Sequence, residues 1–244
     1  MELQQAVAKA DQILDEESAH PTVFYDPNEK TLRSKYSGSV AEFAQAVVLI
    51  GHLTDQNSLI TVFDAPDAGT IGGQGTLGSG INDSGVISGY YYDSGNVPHG
   101  LVRASDGQIT EFTAPGAIFT LAVGINGSGE VIGFSGSGGP QSGMLRTAVG
   151  VVTTFNAPDA TNGTFGASIN RAGGVTGLYF DLNNISHGFR RSVAGAPGAF
   201  NVPGAGTGAY QGTYPNSISD KGTIAGWFRD ANNAVHGFLM LPPM

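Results

Sequence analysis

The stretch GINDSGVISGYYYDSGNVPHGLVR, residues 80–103, decides the fold, because its skeleton returns three times. The later copies are GINGSGEVIGFSGSGGPQSGMLR (124–146), SINRAGGVTGLYFDLNNISHGFRR (168–191) and SISDKGTIAGWFRDANNAVHGFLM (217–240). The anchor residues Ile81, Ile125, Ile169 and Ile218 stand 44, 44 and 49 residues apart. A period in this range marks a repeat architecture.

Working outward, each unit divides into four short apolar segments. One is ITVFDAP (60–66), which returns as ITEFTAP (109–115), VTTFNAP (152–158) and GAFNVP (198–203). A second leads into Ile-Asn, a third carries Gly-x-Tyr or its equivalent, and a fourth opens on His-Gly. Four strands per unit of this length is the content of one β-propeller blade. The turn INDSG supports the reading: Asn82 opens it, and Gly85 supplies the positive φ that closes a short hairpin. Gly129, Gly173 and Gly222 hold the same place. The expected fold is all-β: a four-bladed β-propeller over residues 59–244.

The phase of the repeat predicts how such a ring would close. If Ile-Asn ends the innermost strand, the Phe-x-Ala-Pro segment is the outermost strand of each blade. The chain then starts with a spare outer strand at 60–65 and ends with a three-strand set at 213–240. Pairing of 60–65 with 236–240 would complete the last blade and remove the exposed edges.

Residues 1–58 form a separate N-terminal extension. Leu3, Val7, Ala10 and Leu14 fall at helical spacing, TVFYDPNEKTLRSKY (22–36) reads as a hairpin, and Ser39 with Glu42 caps a second helix over 39–56. That helix is apolar nearly all round, through Phe43, Val47 and Ile50, and is expected to pack on the repeat domain or a second chain. Homo-oligomerisation through this extension is therefore one expectation.

Composition limits the partners. Glycine supplies 38 of 244 residues and charged residues only 13%, a profile of short strands and tight turns rather than exposed helices. A net charge of −9 with 11 Lys plus Arg, in no run, argues against nucleic acid and anionic membranes. No cysteine is present, which removes disulfides, thiol nucleophiles and Cys-based zinc sites. The first residues have neither the basic nor the apolar region of a signal peptide, and no apolar run is long enough to span a membrane.

The repeat skeleton resembles the bacterial HAF-type repeat family, whose units read roughly IN-x-x-G-x-φ-x-G followed by HAF. The match runs over residues 60–240, as Ile81-Asn82, Gly85, Gly89 and His99-Gly100-Leu101, and likewise in copies three and four. This chain has His-Gly where the family has His-Ala; copy two has Ser142 for His, and copy four has Ser219 for Asn. The resemblance implies an extracellular setting and supports the fold more than any activity.

Chemistry is harder to read. Asp and His stand six apart as Asp93/His99, Asp181/His187 and Asp230/His236, a spacing suited to a turn whose carboxylate bonds backbone N–H groups. Repetition on three blades favours a scaffold device over a shared active site. Asp64, Asp67 and Asp159 are scattered turn residues without a calcium-loop pattern, and no hydrolase, metalloprotease or phosphate-binding motif is present. No metal or other cofactor is expected. The loops after the Phe-x-Ala-Pro segments vary in length, and DAPDAGTIGGQG (64–75) and NVPGAGTGAYQG (201–212) are the long ones. Variable loops on a repeated scaffold are where specificity is placed. Asp67, Gln74, Tyr210 and Gln211 are therefore the candidate ligand-binding residues, suited to a small polar ligand such as a sugar, or to a protein partner. The first reading is a binding module using one face of the ring. The alternative is an enzyme of hydrolase, lyase or cyclase type at the mouth of the central channel.

Overall fold

A computed structural model describes the backbone of residues 23–26 and 31–34, together with residues 60–192 and 195–242. The helices expected over 3–14 and 39–56 lie outside the described residues. The chain divides into two compact units, Met1–Val62 and Phe63–Met244. In the first, β1 (Val23–Asp26) and β2 (Thr31–Ser34) pair antiparallel, Val23 opposite Ser34 and Asp26 opposite Thr31. This is the hairpin that residues 22–36 predict.

The second unit is all-β among the described residues. Strands β3 (Gly75–Ile81), β4 (Ile87–Tyr92), β5 (Pro98–Arg103) and β6 (Ile109–Phe112) form one antiparallel sheet in chain order. The pattern returns in β7 (Phe119–Ile125), β8 (Val131–Gly136), β9 (Ser142–Arg146) and β10 (Val152–Phe155). A third set is β11 (Thr164–Ile169), β12 (Val175–Phe180), β13 (Ser186–Arg191) and β14 (Gly198–Phe200). The last has three strands: β15 (Gly212–Ile218), β16 (Ile224–Arg229) and β17 (Val235–Met240). One parallel bridge, Ser186 opposite Gly212, joins it to the third set. The succession of meanders is β-propeller-like, and each set is called a blade below.

Each inner strand shifts register just before Ile-Asn, between Gly78 and Gly80, Ala122 and Gly124, Gly166 and Ser168, and Pro215 and Ser217. Such a bulge bends a strand and raises its twist. The Gly that closes the following turn sits at φ 75–83° in all four blades, a conformation only glycine takes cheaply.

Two devices lock neighbouring blades. The Phe-x-Ala-Pro segment is tied to the blade that follows it: the N–H groups of Ala65, Ala114, Ala157 and Val202 donate to the hydroxyls of Thr76, Thr120, Thr164 and Thr213 at 2.8–3.0 Å. On the side of the Ile-Asn turns, Asn82 Nδ2 donates to the Asn126 carbonyl, Asn126 to that of Asn170, and Asn170 to that of Ser219, at 3.0–3.1 Å. Between these ladders lies apolar packing. Val102 and Ile125 share one cluster with Met144 and Val131; Leu145 and Ile169 share the next with Phe189 and Val175.

The sheets do not close on themselves. Residues 60–65 form no strand, and β17 pairs with β16 alone among the described strands, so the expected pairing of 60–65 with 236–240 is not made. Phe63 and Ala65 instead keep only the half of their role that faces the next blade. Ala65 packs with Tyr91 and Leu101, and the Phe63 ring lies 5.1 Å from the Arg103 guanidinium. Phe112 and Phe155 meet Arg146 and Arg191 in the same way.

Candidate functional site

Antiparallel succession places two loop types on each side of the blades. One side carries the Ile-Asn turns and the turns after β5 and β9. The other carries the loops after the Phe-x-Ala-Pro segments and the Asp turns. The sequence candidates all fall on this second side, as the loop argument requires.

Gln74 and Gln211 are occupied by the fold. Gln74 Nε2 donates to the Ser94 carbonyl, and its Oε1 accepts the Ile71 N–H. Gln211 repeats this in the last blade, donating to the Ala231 carbonyl and Asn233 Oδ1 while accepting the Gly208 N–H. In the third blade Asn162 does the same work, donating to the Asp181 carbonyl and Asn184 Oδ1. These amides clamp the loop after a Phe-x-Ala-Pro segment onto the Asp turn beside it. Asp67 and Tyr210 are freer. Asp67 is exposed, and its N–H donates to Glu111 Oε1 at 3.1 Å. Tyr210 sits at φ 61° with its ring edge-on to Phe180, and its carbonyl accepts the Tyr214 hydroxyl at 2.7 Å. Among the described residues no hydrogen bond joins Asp67 or Gln74 to Tyr210 or Gln211.

The Asp–His pairs are made as their spacing predicts. Asp93 Oδ1 accepts the N–H groups of Gly95 and Val97 at 2.8 Å, and its Oδ2 faces His99 Nε2 at 3.3 Å. Asp181/His187 and Asp230/His236 repeat the contact at 3.3 and 3.4 Å. The N–H of Val97 foremost, with His99 and Gly95, holds the Asp93 carboxyl below its usual range, and Ala234 leads the same effect on Asp230. Burial would raise Asp181, but Ile185, His187 and Asn183 together carry it below the ordinary value. Each imidazole also stacks on a ring of the neighbouring strand: His99 on Tyr91, His187 on Tyr179 and His236 on Phe228. The second ring nitrogen is engaged in two blades, His99 Nδ1 with Thr113 and His187 Nδ1 with Asn201.

Beside these pairs lie two buried phenols that the sequence did not single out as chemistry. Burial, followed by the Glu111 and Asp67 carboxylates, pushes the Tyr91 phenol up to about 12. Tyr179 is raised by burial and by Asp159 and Asp181. Asp67 and Asp159 hold equivalent repeat positions, as do Tyr91 and Tyr179, so the arrangement is largely a property of the repeat. Glu111 is the member without a counterpart. Among the described residues no group of three or more His, Cys, Asp or Glu is placed to hold a metal ion. The signal that sequence reading passed over is apolar: Ile71, Ile118 and Leu182, on loops of this side like the candidate Tyr210, are each more than half exposed, as it is.

No protein-family profile matches the chain, and no curated protein is similar to it at a significant level. Among solved structures, a streptogramin B lyase aligns with 72% of this chain and 58% of its own, at 14% identity and a TM-score of 0.43. The virginiamycin B lyase of Staphylococcus aureus aligns with 91% of this chain and 64% of its own, at 14% identity and a TM-score of 0.41. The chain thus spans less than two thirds of either lyase, and likeness at this level assigns no activity.

Proposed function

We propose that the protein is a binding module that takes its ligand or partner on the side carrying the Asp turns and the long loops. One observation carries this reading: Ile71, Ile118, Leu182 and Tyr210 leave water-exposed apolar surface on the loops and Asp turns of that side. Apolar side chains on functional loops are retained where something covers them. Carboxylates stand among them, Asp67, Asp159 and Asp181 included, so the favoured ligand combines an apolar or ring face with donor or cationic groups. Tyr210 offers the stacking face and Asp67 a polar contact; Gln74 and Gln211 act through the loops they clamp. A ligand-observed NMR screen of saccharide and amine fragments tests this, with the parent compared against Tyr210→Ala and Asp67→Asn. At least one hit should weaken tenfold or more in one variant. A ligand whose affinity neither substitution changes places the site elsewhere.

The enzyme reading is favoured by a single observation. His236 is the one Asp-paired imidazole whose Nδ1 has no partner among the described residues, and its side chain is nearly half exposed. An imidazole oriented by Asp230 with one free nitrogen is the form a general base takes. If a reaction is found, His236→Gln abolishing it while His187→Gln spares it would support this reading. Equal activity in both variants would end it.

A further inference from the structure

The last blade ends in a vacancy of defined shape. In the first three blades a Phe ring of the outer strand covers the Gly of the His-Gly or Ser-Gly pair. A Cβ at Gly100, Gly143 or Gly188 would come within 2.5–2.6 Å of Phe112, Phe155 or Phe200. At Gly237 the nearest atom of the described residues to such a Cβ is the Gly226 carbonyl oxygen, at 4.0 Å. Gly237 is exposed where its three counterparts are buried, and Phe238 is half-buried where Leu101, Met144 and Phe189 are fully buried. Among the described residues, His236 Nδ1 lacks the partner that Thr113 and Asn201 give to His99 and His187.

The first blade carries the complementary half. Ile81 is 68% exposed, against 7% and 6% for its equivalents Ile169 and Ile218, which the preceding blade covers. Leu239, on the open flank of the last blade, is 67% exposed, whereas its equivalents Val102 and Leu145 pack in clusters containing Ile125 and Ile169. Phe63 and Asp64 stand at the repeat positions of Phe112-Thr113 and Phe200-Asn201.

We propose that a second copy of this chain supplies the missing half. The register of the existing blades, Gly100 opposite Phe112 and Gly188 opposite Phe200, sets the join. Phe63 of one copy covers Gly237 of the other, Asp64 reaches His236 Nδ1, and Leu239 packs on Ile81. The same head-to-tail contact made twice closes a ring of two chains and eight blades. Closure within one chain would place the same strand on β17. However, the first two blade junctions are already packed around fully buried Ala122, Val131, Ile132 and Phe189, the third is tied by Val202 to Thr213 and by Asn170 to Ser219, and with those junctions made no described strand joins the two ends. Bringing the ends together in one chain would reopen close-packed cores, whereas a second copy leaves them as they are. The join also covers the ring nitrogen that an enzyme would need free, and so disfavours that second reading.

The chain has no cysteine, so single thiols can report the join directly. Ile81→Cys and Leu239→Cys are placed on separate chains, mixed, and treated with a short bis-maleimide. A covalent dimer forms in the mixture and is absent when either variant is treated alone. Sedimentation velocity of the parent at micromolar concentration gives a dimer, and Leu239→Asp converts it to a monomer with an unchanged circular dichroism spectrum. Val149→Asp, at another exposed apolar residue, leaves the dimer intact. A parent that stays monomeric, a link formed within single double-cysteine chains, or a ladder of longer oligomers would each overturn the proposal.

Discussion

Replacing Asn126 tests whether the blades are joined by the Ile-Asn ladder or merely stacked. Its side chain is almost fully buried and makes four hydrogen bonds. Oδ1 accepts the N–H groups of Ser128 and Glu130 at 3.0 and 2.9 Å; Nδ2 donates to the Asn170 carbonyl at 3.0 Å and to Glu130 Oε2 at 2.7 Å. A net hydrogen bond is worth about 1 kcal/mol, and a buried group left without a partner costs about 1–3 kcal/mol. Water can refill the turn N–H groups but reaches the Asn170 carbonyl less readily, so Asn126→Ala should cost about 2–4 kcal/mol. With a urea m-value of about 2 kcal/mol/M, the unfolding midpoint falls by roughly 1–2 M. Asn126→Asp separates the two roles. It keeps the acceptor of the turn, loses the donor to the next blade, and sets a carboxylate against Glu130. At pH 7 it should be at least as destabilising as the alanine, and the deficit should shrink towards pH 4 as the new carboxyl takes a proton and can donate. An aspartate variant as stable as the parent at pH 7 would refute the ladder as a join.

Gly143→Ala drives a Cβ into the Phe155 ring and should cost about 1–3 kcal/mol in a urea titration, with Phe155→Ala restoring part of the loss if the clash is the cause. Asp93, Asp181 and Asp230 each have folded values below the ordinary carboxylate. Their contribution is therefore complete above about pH 4 and is lost as pH falls through the folded values. Asp181→Asn should flatten that acid limb of the stability profile, and an unchanged limb would show that the turn carboxylate is not its source. Tyr91 has the opposite sign: its phenol is held near 12, so the stability it contributes is full below about pH 10 and fades as pH rises from there towards the folded value. Tyr179 and Tyr214 are raised by burial as well, so ultraviolet titration should show several late-ionising tyrosines, of which Tyr91→Phe removes one; a parent whose tyrosines all ionise near pH 10 would contradict the burial.

The blades were legible because backbone chemistry recurs with the period. Gly85, Gly129, Gly173 and Gly222 announce their turns, and the alternating apolar segments announce their strands. The blade junctions were equally periodic, in Thr76, Thr120, Thr164 and Thr213 and in Asn82, Asn126 and Asn170, yet sequence alone could not say which partner each side chain meets. A threonine in a strand looks like ordinary β-propensity until the N–H it accepts is seen. The candidate site was less legible for a related reason. Gln74 and Gln211 stood out as polar residues in long loops, but the same polarity lets them clamp those loops, as Asn162 does at a position the copies do not visibly share. A hydrogen-bonding side chain in a repeat protein is divided between scaffold and ligand, and composition does not reveal the division. Exposed apolar residues such as Ile71 and Leu182 give a different signal, because they are not spent on hydrogen bonds within the scaffold. In the sequence they lay in a long loop and an Asp turn, overshadowed by the polar residues there, and became informative only once their exposure was seen. Closure was misplaced by the same blindness to partners. The repeat phase marked residues 60–65 as a surplus copy of the outer segment, but they form no strand, and a period is silent about whether the blade such a segment would complete belongs to the same chain. The exposure of Ile81 and Leu239, which no pattern of residue types could supply, turns that surplus into a question about a second copy.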